Sequence, residues 1–184
     1  MITKTIFSGF GGQGVLMMGY SLAMGAMHQG FHVTFLPSYG AEMRGGTANC
    51  TVSVGDEEIA SPIASEPDNM VAMNAPSLFA FQSRVDRGGR VFTNSSIVKG
   101  GPSRKDLILT AVPCNTLAEE IGNPRGANMV MMGAFIAVTK MIDPDGYLRS
   151  MEQVLGARKK AHLEANRRAF ERGLQYAAEA ASGG

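Results

Sequence analysis

A glycine-rich turn between an apolar strand and an apolar helix constrains the fold of this chain more than any other feature. Residues 3–8 are rich in β-branched and aromatic side chains and predict a strand. Residues 9–14 read Gly-Phe-Gly-Gly-Gln-Gly, and residues 15–27 are then apolar on nearly every side, which is typical of a helix buried on most faces. A second strand at residues 31–36 completes a strand–turn–helix–strand unit, for which a right-handed crossover is expected.

The rest of the chain continues the alternation of strands and helices. Strands are predicted at residues 48–54, 59–63, 69–73, 90–94 and 106–112, and helices at residues 75–85, 117–121, 127–141, 144–155 and 157–181. No helix separates the strand at 48–54 from the strand before it, so an antiparallel partner is expected there. The pattern predicts one α/β domain over residues 1–184: a three-layer αβα fold with a Rossmann-like mixed sheet.

Composition excludes several classes of protein. The chain has 184 residues and a net charge of +1, which argues against a strongly electrostatic nucleic-acid binder. No apolar run approaches the ~18 residues of a membrane span, and no signal peptide precedes the first strand. Two cysteines are too few for a disulfide framework, so a cytoplasmic, reducing location is expected. Thirteen methionines suit a subunit as well as a monomer.

The turn carries the spacing Gly9-x-Gly11-x-x-Gly14, which matches half of the dinucleotide-binding fingerprint. The other half is an acid about twenty residues later, at the end of the second strand. That place holds Leu36-Pro37-Ser38, so the acid is missing. Three interpretations stay open: dinucleotide binding, glycines that only allow close packing, and recognition of another phosphate, pyrophosphate or partner backbone.

The segment after the second strand contains a second candidate site. Tyr39, Glu42 and Arg44 lie in a proline- and glycine-containing loop, which is expected to lie beside the glycine turn at one end of the sheet. Arg44 could brace the loop by bonding backbone carbonyls. Its planar guanidinium also suits a phosphate or carboxylate, to which Tyr39 could present its ring.

Residues suited to covalent or acid–base catalysis are scarce. The three histidines show no metal spacing, and the chain has no Walker lysine motif and no serine elbow. Cys50 is expected on a core face, whereas Cys114 stands near a predicted helix start, where its pKa could be lowered. Asn115 or Thr116 is expected to cap that helix.

Four segments together resemble the gamma subunit of 2-oxoacid:ferredoxin oxidoreductases. They are residues 9–15, residues 37–49, residues 128–134 (Asn-Met-Val-Met-Met-Gly-Ala) and the late pattern Asn166-x-x-Ala169-Phe170-x-x-Gly173. The resemblance covers nearly the whole chain, and residues 37–49 are its most specific part. The form Pro37-Ser38-Tyr39-Gly40 is similar to that of the 2-oxoglutarate and branched-chain 2-oxoacid enzymes.

The resemblance implies a reaction and a division of labour. A 2-oxoacid is decarboxylated on thiamine diphosphate, electrons pass through [4Fe–4S] clusters to ferredoxin, and the acyl group goes to coenzyme A. The thiamine diphosphate and the clusters belong to partner alpha and beta subunits, in some complexes with a delta subunit, and no nucleic acid or membrane takes part.

The gamma subunit is expected to dock on these partners and help to bind coenzyme A, without a catalytic or metal-ligating residue of its own. The isolated chain could pair as a homodimer. The alternatives are a stand-alone dinucleotide-binding oxidoreductase and a ligand-free structural subunit. The residues expected at the coenzyme A contact, or orienting the loop beside it, are Gly11, Gly12, Gln13, Gly14, Tyr39, Glu42, Arg44 and Gly45.

Overall fold

The computed structural model describes residues 1–39, 47–155 and 160–183. Within these ranges the strands form one sheet in the order β2-β3-β1-β4-β5-β6. Strands β1, β4, β5 and β6 are parallel, whereas β3 runs antiparallel to both of its neighbours, β1 and β2. The expected mixed sheet is therefore confirmed. The strands are β1 (Ile2–Phe10), β2 (His32–Tyr39), β3 (Thr47–Gly55), β4 (Asn69–Ala72), β5 (Arg90–Asn94) and β6 (Ile108–Val112).

Helices cover both faces of the sheet, as a three-layer fold requires. The helices are α1 (Val15–His28), α2 (Ala75–Phe81), α3 (Cys114–Glu120), α4 (Ala127–Thr139), α5 (Pro144–Leu155) and α6 (Lys160–Ser182). The larger core lies between the sheet and α1, α3, α4, α5 and α6, and it includes Phe7, Leu22 and Phe135. The smaller core lies under α2, where Leu78 joins Ile6. Because β1 leads to a helix on one face and β4 to a helix on the other, the point between them is a topological switch point.

Helices α4 and α6 cross at glycines. A Cβ on Gly133 would lie 2.0 Å from the carbonyl oxygen of Phe170, and a Cβ on Gly173 would lie 2.0 Å from the carbonyl oxygen of Val130. The two backbones therefore touch with no side chain between them. Glycine on both helices is what permits this close approach.

Three local predictions were wrong. Residues 59–63 are not a strand: both edges of β3 are already paired, and Pro62 has no N–H to donate. Helix α2 ends at Phe81 and passes into a 3₁₀ turn before Val85. Helix α3 begins at Cys114 because side chains at the end of β5, rather than Asn115 or Thr116, accept from its first N–H groups.

Candidate functional site

The glycine turn connects the carboxyl end of β1 to α1 and adopts left-handed backbone conformations. Gly12 has φ +95° and Gly14 has φ +73°, values at which a side chain would be strained. The side chain of Gln13 fixes the turn. Its Oε1 accepts from the backbone N–H of Phe10 at 2.7 Å and from Nδ2 of Asn74 at 2.9 Å, and its Nε2 donates to the carbonyl oxygen of Met73 at 3.2 Å. Gln13 thus ties the turn to the end of β4.

A cleft of about 400 Å³ opens beside this turn, at the carboxyl ends of β1, β4 and β5. In α/β sheets this edge, at the switch point, is where ligands bind. Apolar side chains and side-chain amides line it in similar number. Its lining residues are Gly12, Gln13, Gly14, Met73, Asn94, Ile97, Asn115, Pro124, Arg125, Ala127 and Asn128.

Positive charge and positive helix ends meet at the cleft. The N-cap residues are Gly14 for helix α1 and Gly126 for helix α4, and neither helix start has a side-chain cap among the described residues. Arg125, exposed, stands directly before α4. Uncapped N–H groups and a guanidinium together favour an anionic ligand.

The side-chain amides of Asn94 and Asn128, which line the cleft, have different roles. Asn94 is only 1% exposed. Its Oδ1 accepts from the N–H of Cys114 at 3.2 Å and its Nδ2 donates to Oδ1 of Asn115 at 2.7 Å, so this side chain holds the wall together. Asn128, in the first turn of α4, is partly exposed to the cleft.

The predicted site residues lie partly within this arrangement. Gly12, Gln13 and Gly14 line the cleft, and Gly11 is an exposed neighbour in the same turn. Tyr39 is the last residue of β2.

The ends of the second loop are also fixed by the sheet. Tyr39 is in register with Ala48, which is in register with Gly9, so the loop leaves and rejoins the sheet at the edge where the glycine turn lies. Glu42, Arg44 and Gly45 lie outside the described residues. Their contact with the turn therefore stays a prediction.

Four polar residues of the cleft were missed by sequence reasoning: Asn94, Asn115, Arg125 and Asn128. A signal for two of them was present. Asn94 ends a predicted parallel strand, and Arg125 precedes a long apolar helix, the two kinds of place where ligand contacts gather in α/β folds.

The pattern of the family described as pyruvate ferredoxin/flavodoxin oxidoreductase matches residues 4–176. The chain belongs to this family. The resemblance to gamma subunits of 2-oxoacid:ferredoxin oxidoreductases, first seen in the motifs, is thereby confirmed.

Curated relatives within the pyruvate ferredoxin/flavodoxin oxidoreductase family include subunits of different lengths. Ketoisovalerate oxidoreductase subunit VorA of Methanothermobacter thermautotrophicus is 36% identical over 175 residues, which are 94% of this chain but only 36% of VorA. 2-Oxoglutarate synthase subunit KorC of Methanocaldococcus jannaschii is 31% identical over 176 residues, which are 94% of this chain and 92% of KorC. This chain thus spans little more than a third of VorA and almost all of KorC.

Solved structures share the fold. The gamma subunit of keto/oxoacid ferredoxin oxidoreductase from Geobacter sulfurreducens PCA superposes with a TM-score of 0.82 at 26% identity, over 96% of this chain and 99% of that one. The 2-oxoglutarate:ferredoxin oxidoreductase of Magnetococcus marinus, solved with 2-oxoglutarate, coenzyme A and succinyl-CoA bound, gives 0.83 at 21% identity over 97% of this chain and 31% of that one. The predicted three-layer α/β fold is confirmed.

Neither cysteine of this family member is a reactive thiol. Cys50 is buried against α1, with its Sγ 3.6 Å from the carbonyl oxygen of Val15, and burial raises its pKa to about 12. Burial also raises the pKa of Cys114, so the lowered value considered for that thiol is wrong. Both thiols stay protonated at neutral pH.

The described ranges contain no group of three His, Cys, Asp or Glu side chains placed to hold a metal ion. None of the helices in these ranges has the length and hydropathy needed to cross a membrane.

Proposed function

We propose that this chain is the gamma subunit, a single domain over residues 1–184, of a multisubunit 2-oxoacid:ferredoxin oxidoreductase. The complex oxidatively decarboxylates a 2-oxoacid to an acyl-CoA and passes the electrons to ferredoxin. Alpha and beta subunits, with a delta subunit in some complexes, carry thiamine diphosphate and the [4Fe–4S] clusters. This chain provides a docking surface and helps to bind coenzyme A. Family membership and the match to the Geobacter gamma subunit support this assignment.

The cleft at the switch point is the observation that carries the coenzyme A contact. Two uncapped helix starts and Arg125 offer donors and positive charge, which suit the pyrophosphate or phosphate of the coenzyme. The apolar side chains of Met73 and Ile97 offer surfaces for its uncharged parts. The Magnetococcus neighbour, which has the same fold, was solved with coenzyme A bound.

The turn and the loop have separate roles in this proposal. Gly11, Gly12 and Gly14 bring the backbone near the ligand. The Gln13 side chain is occupied by Phe10, Met73 and Asn74, so its main task is to hold the turn in place. The loop residues Tyr39, Glu42, Arg44 and Gly45 complete the contact from the β2 side.

A stand-alone dinucleotide enzyme is disfavoured by the strand order. In the dinucleotide fold the acid that binds the ribose ends the strand next to β1. Here the antiparallel β3 occupies that place and β2 lies one strand further out, about 9–10 Å from β1. An acid at the end of β2 would be too distant even if it were present.

Reconstitution tests the assignment. The alpha and beta subunits, assayed with a 2-oxoacid, coenzyme A and ferredoxin, should reduce ferredoxin efficiently only when this chain is added. The chain alone should show no turnover, and turnover by it would contradict the proposal. Calorimetry with coenzyme A should show binding to the assembled complex, whereas titration of the chain with NAD or FAD should show none. Absence of coenzyme A binding both to the chain and to the complex would favour a ligand-free structural subunit.

We also propose the class of 2-oxoacid that the complex uses and the compartment in which it works. The loop motif and the similarity to VorA and KorC favour a branched-chain 2-oxoacid or 2-oxoglutarate. Two free, buried cysteines suit a reducing compartment, and we place the complex in the cytoplasm.

A further inference from the structure

Helix α1 presents an apolar stripe to solvent. Its exposed or half-buried positions from residue 17 to residue 27 are Met17, Tyr20, Met24 and Met27, spaced as one face of a helix. Met17 is 39%, Tyr20 41% and Met27 50% exposed. The helix contains no Asp, Glu, Lys or Arg at all. The sequence predicted a helix buried on most faces, and this stripe is the face that the described residues leave uncovered.

The stripe continues onto the edge strand β2. The ring of Tyr20 meets the ring of Phe35 edge-on, with 5.9 Å between centroids. Phe31 and Val33 are partly buried apolar neighbours of the same core. We refer to Met17, Tyr20, Met24, Met27 and Phe35 together as the methionine face.

The exposed face of α6, by contrast, is charged, which sets the methionine face apart. On α6 the exposed or half-buried positions include Glu164, Arg167, Arg168 and Glu171. Contiguous exposed apolar surface marks interaction sites. Interface cores are enriched in Met and aromatic residues and depleted of charge, and methionine adapts its shape to a partner.

We infer that the methionine face is where another subunit of the same oxidoreductase complex docks, through an uncharged apolar surface of its own. The inference rests on the proposed function and names the surface it uses. This chain covers 36% of VorA and 31% of the Magnetococcus chain. In those proteins further polypeptide is joined covalently to the shared domain. In the proposed function the alpha and beta subunits are separate polypeptides, so the contact they make with this chain is non-covalent.

The position of the face favours this occupant over a second copy of the chain. Met17 lies in the first turn of α1, directly after the glycine turn that lines the cleft. The opposite end of the patch is β2, whose last residue, Tyr39, lies at the same sheet edge as Gly9. A subunit seated on the methionine face therefore reaches the rim of the cleft, where a shared ligand would have to pass between polypeptides.

Charge substitution on the exposed side chains tests the inference. In the full chain, co-expressed with its alpha and beta subunits, Tyr20→Glu combined with Met27→Glu places two carboxylates in the interface. Association should weaken by at least about thirtyfold, the effect of losing a buried interface anchor. Tyr20→Leu with Met27→Leu keeps the surface apolar and should assemble within about threefold of the wild type.

Ile63→Glu is the matched control, because Ile63 is 62% exposed and lies in the segment before β4, next to the α2 layer. It should assemble normally. Circular dichroism and thermal unfolding of each isolated chain establish that it is folded. If the double variant fails to fold, Met27→Glu alone, at the most exposed position of the face, replaces it.

The outcomes separate the inference from the function on which it rests. Wild-type chain that assembles, with a folded glutamate variant that assembles equally well, would overturn the docking face and leave the proposed function standing. An isolated wild-type dimer that the glutamate variant dissociates, without loss of assembly with alpha and beta, would assign the face to a second copy and also overturn the inference. Wild-type chain that assembles with neither subunit would overturn both.

Discussion

Gly14 and Asn128 bring the starts of two helices into contact. A Cβ on Gly14 would lie 2.4 Å from Nδ2 of Asn128, and Gly14 has a φ of +73°. The beginnings of α1 and α4 therefore approach each other only because position 14 has no side chain. Both helix starts face the cleft, so this contact shapes the part of the site that would receive an anion.

Replacing Gly14 with alanine should destabilise the chain and distort the cleft. The left-handed backbone costs about 1–2 kcal/mol for an L-residue, and the clash with Asn128 adds to it. Gly30→Ala is the matched control, since Gly30 has φ +87° but a Cβ there would meet no atom within 4 Å. Urea unfolding should show a larger loss at position 14, and equal losses would mean that Asn128 moves aside freely.

Gly133→Ala should reverse the usual effect of a glycine-to-alanine change in a helix. Helix propensity alone predicts a gain of about 1 kcal/mol. The new methyl group would instead meet the backbone of α6 at Phe170, and overpacking of this kind costs about 1–3 kcal/mol or more. The free energy of unfolding should therefore fall, and a rise would show that α4 and α6 can separate without penalty.

The buried thiol of Cys50 should make the chain less stable at high pH. Its pKa rises from 9.0 in the unfolded reference to about 12 in the fold, so the folded state holds the proton more tightly. This contribution is fully present below pH 9 and is lost as the pH rises from 9 towards 12. Between pH 8 and pH 10 the loss from Cys50 is on the order of 1 kcal/mol.

The Cys50→Ala variant isolates that contribution. Its free energy of unfolding should fall less between pH 8 and pH 10 than that of the wild type, and the difference should again be on the order of 1 kcal/mol. Unfolding in urea at the two pH values gives the difference, in which the constant cost of removing the sulfur cancels. Identical pH dependence in the two proteins would show that the thiol ionises in the folded state.

Arg125→Ala should weaken coenzyme A binding by the assembled complex. Loss of one charged hydrogen bond to a phosphate lowers affinity by about tenfold or more. The matched control is Arg149→Ala, because Arg149 is an exposed arginine on α5 that pairs with Asp143. Calorimetry should separate the two variants, and equal affinities would remove Arg125 from the proposed contact.

The local pattern of the chain was enough to predict the strand–turn–helix unit and most later elements, because the spacing of apolar residues within a short window indicates a helix or a strand. The failures share one cause. Residues 59–63 have strand-like composition, but they follow β3, whose two edges are already paired, and the first N–H groups of α3 are satisfied by residues at the end of β5. Such contacts depend on strand order.

Prediction of the cleft from the sequence was limited in the same way, because it also depends on strand order. Gly12, Gln13 and Gly14 belong to a recognisable motif and were found. Asn94 and Arg125 are about thirty residues apart in sequence and far from that motif, and only the parallel order of β1, β4 and β5 brings them to one edge.

The insertion of β3 between β1 and β2 also has a consequence for how the sheet is assembled. β3 follows both of these strands in the chain, yet it supplies the backbone partners of each. During synthesis β2 can therefore gain no ladder to the growing sheet until residues 47–55 have emerged. The β2–β3 pair then joins β1 as a preformed ribbon or zips onto it strand by strand, so β1 and β2 are linked in the sheet only through a strand made after both of them.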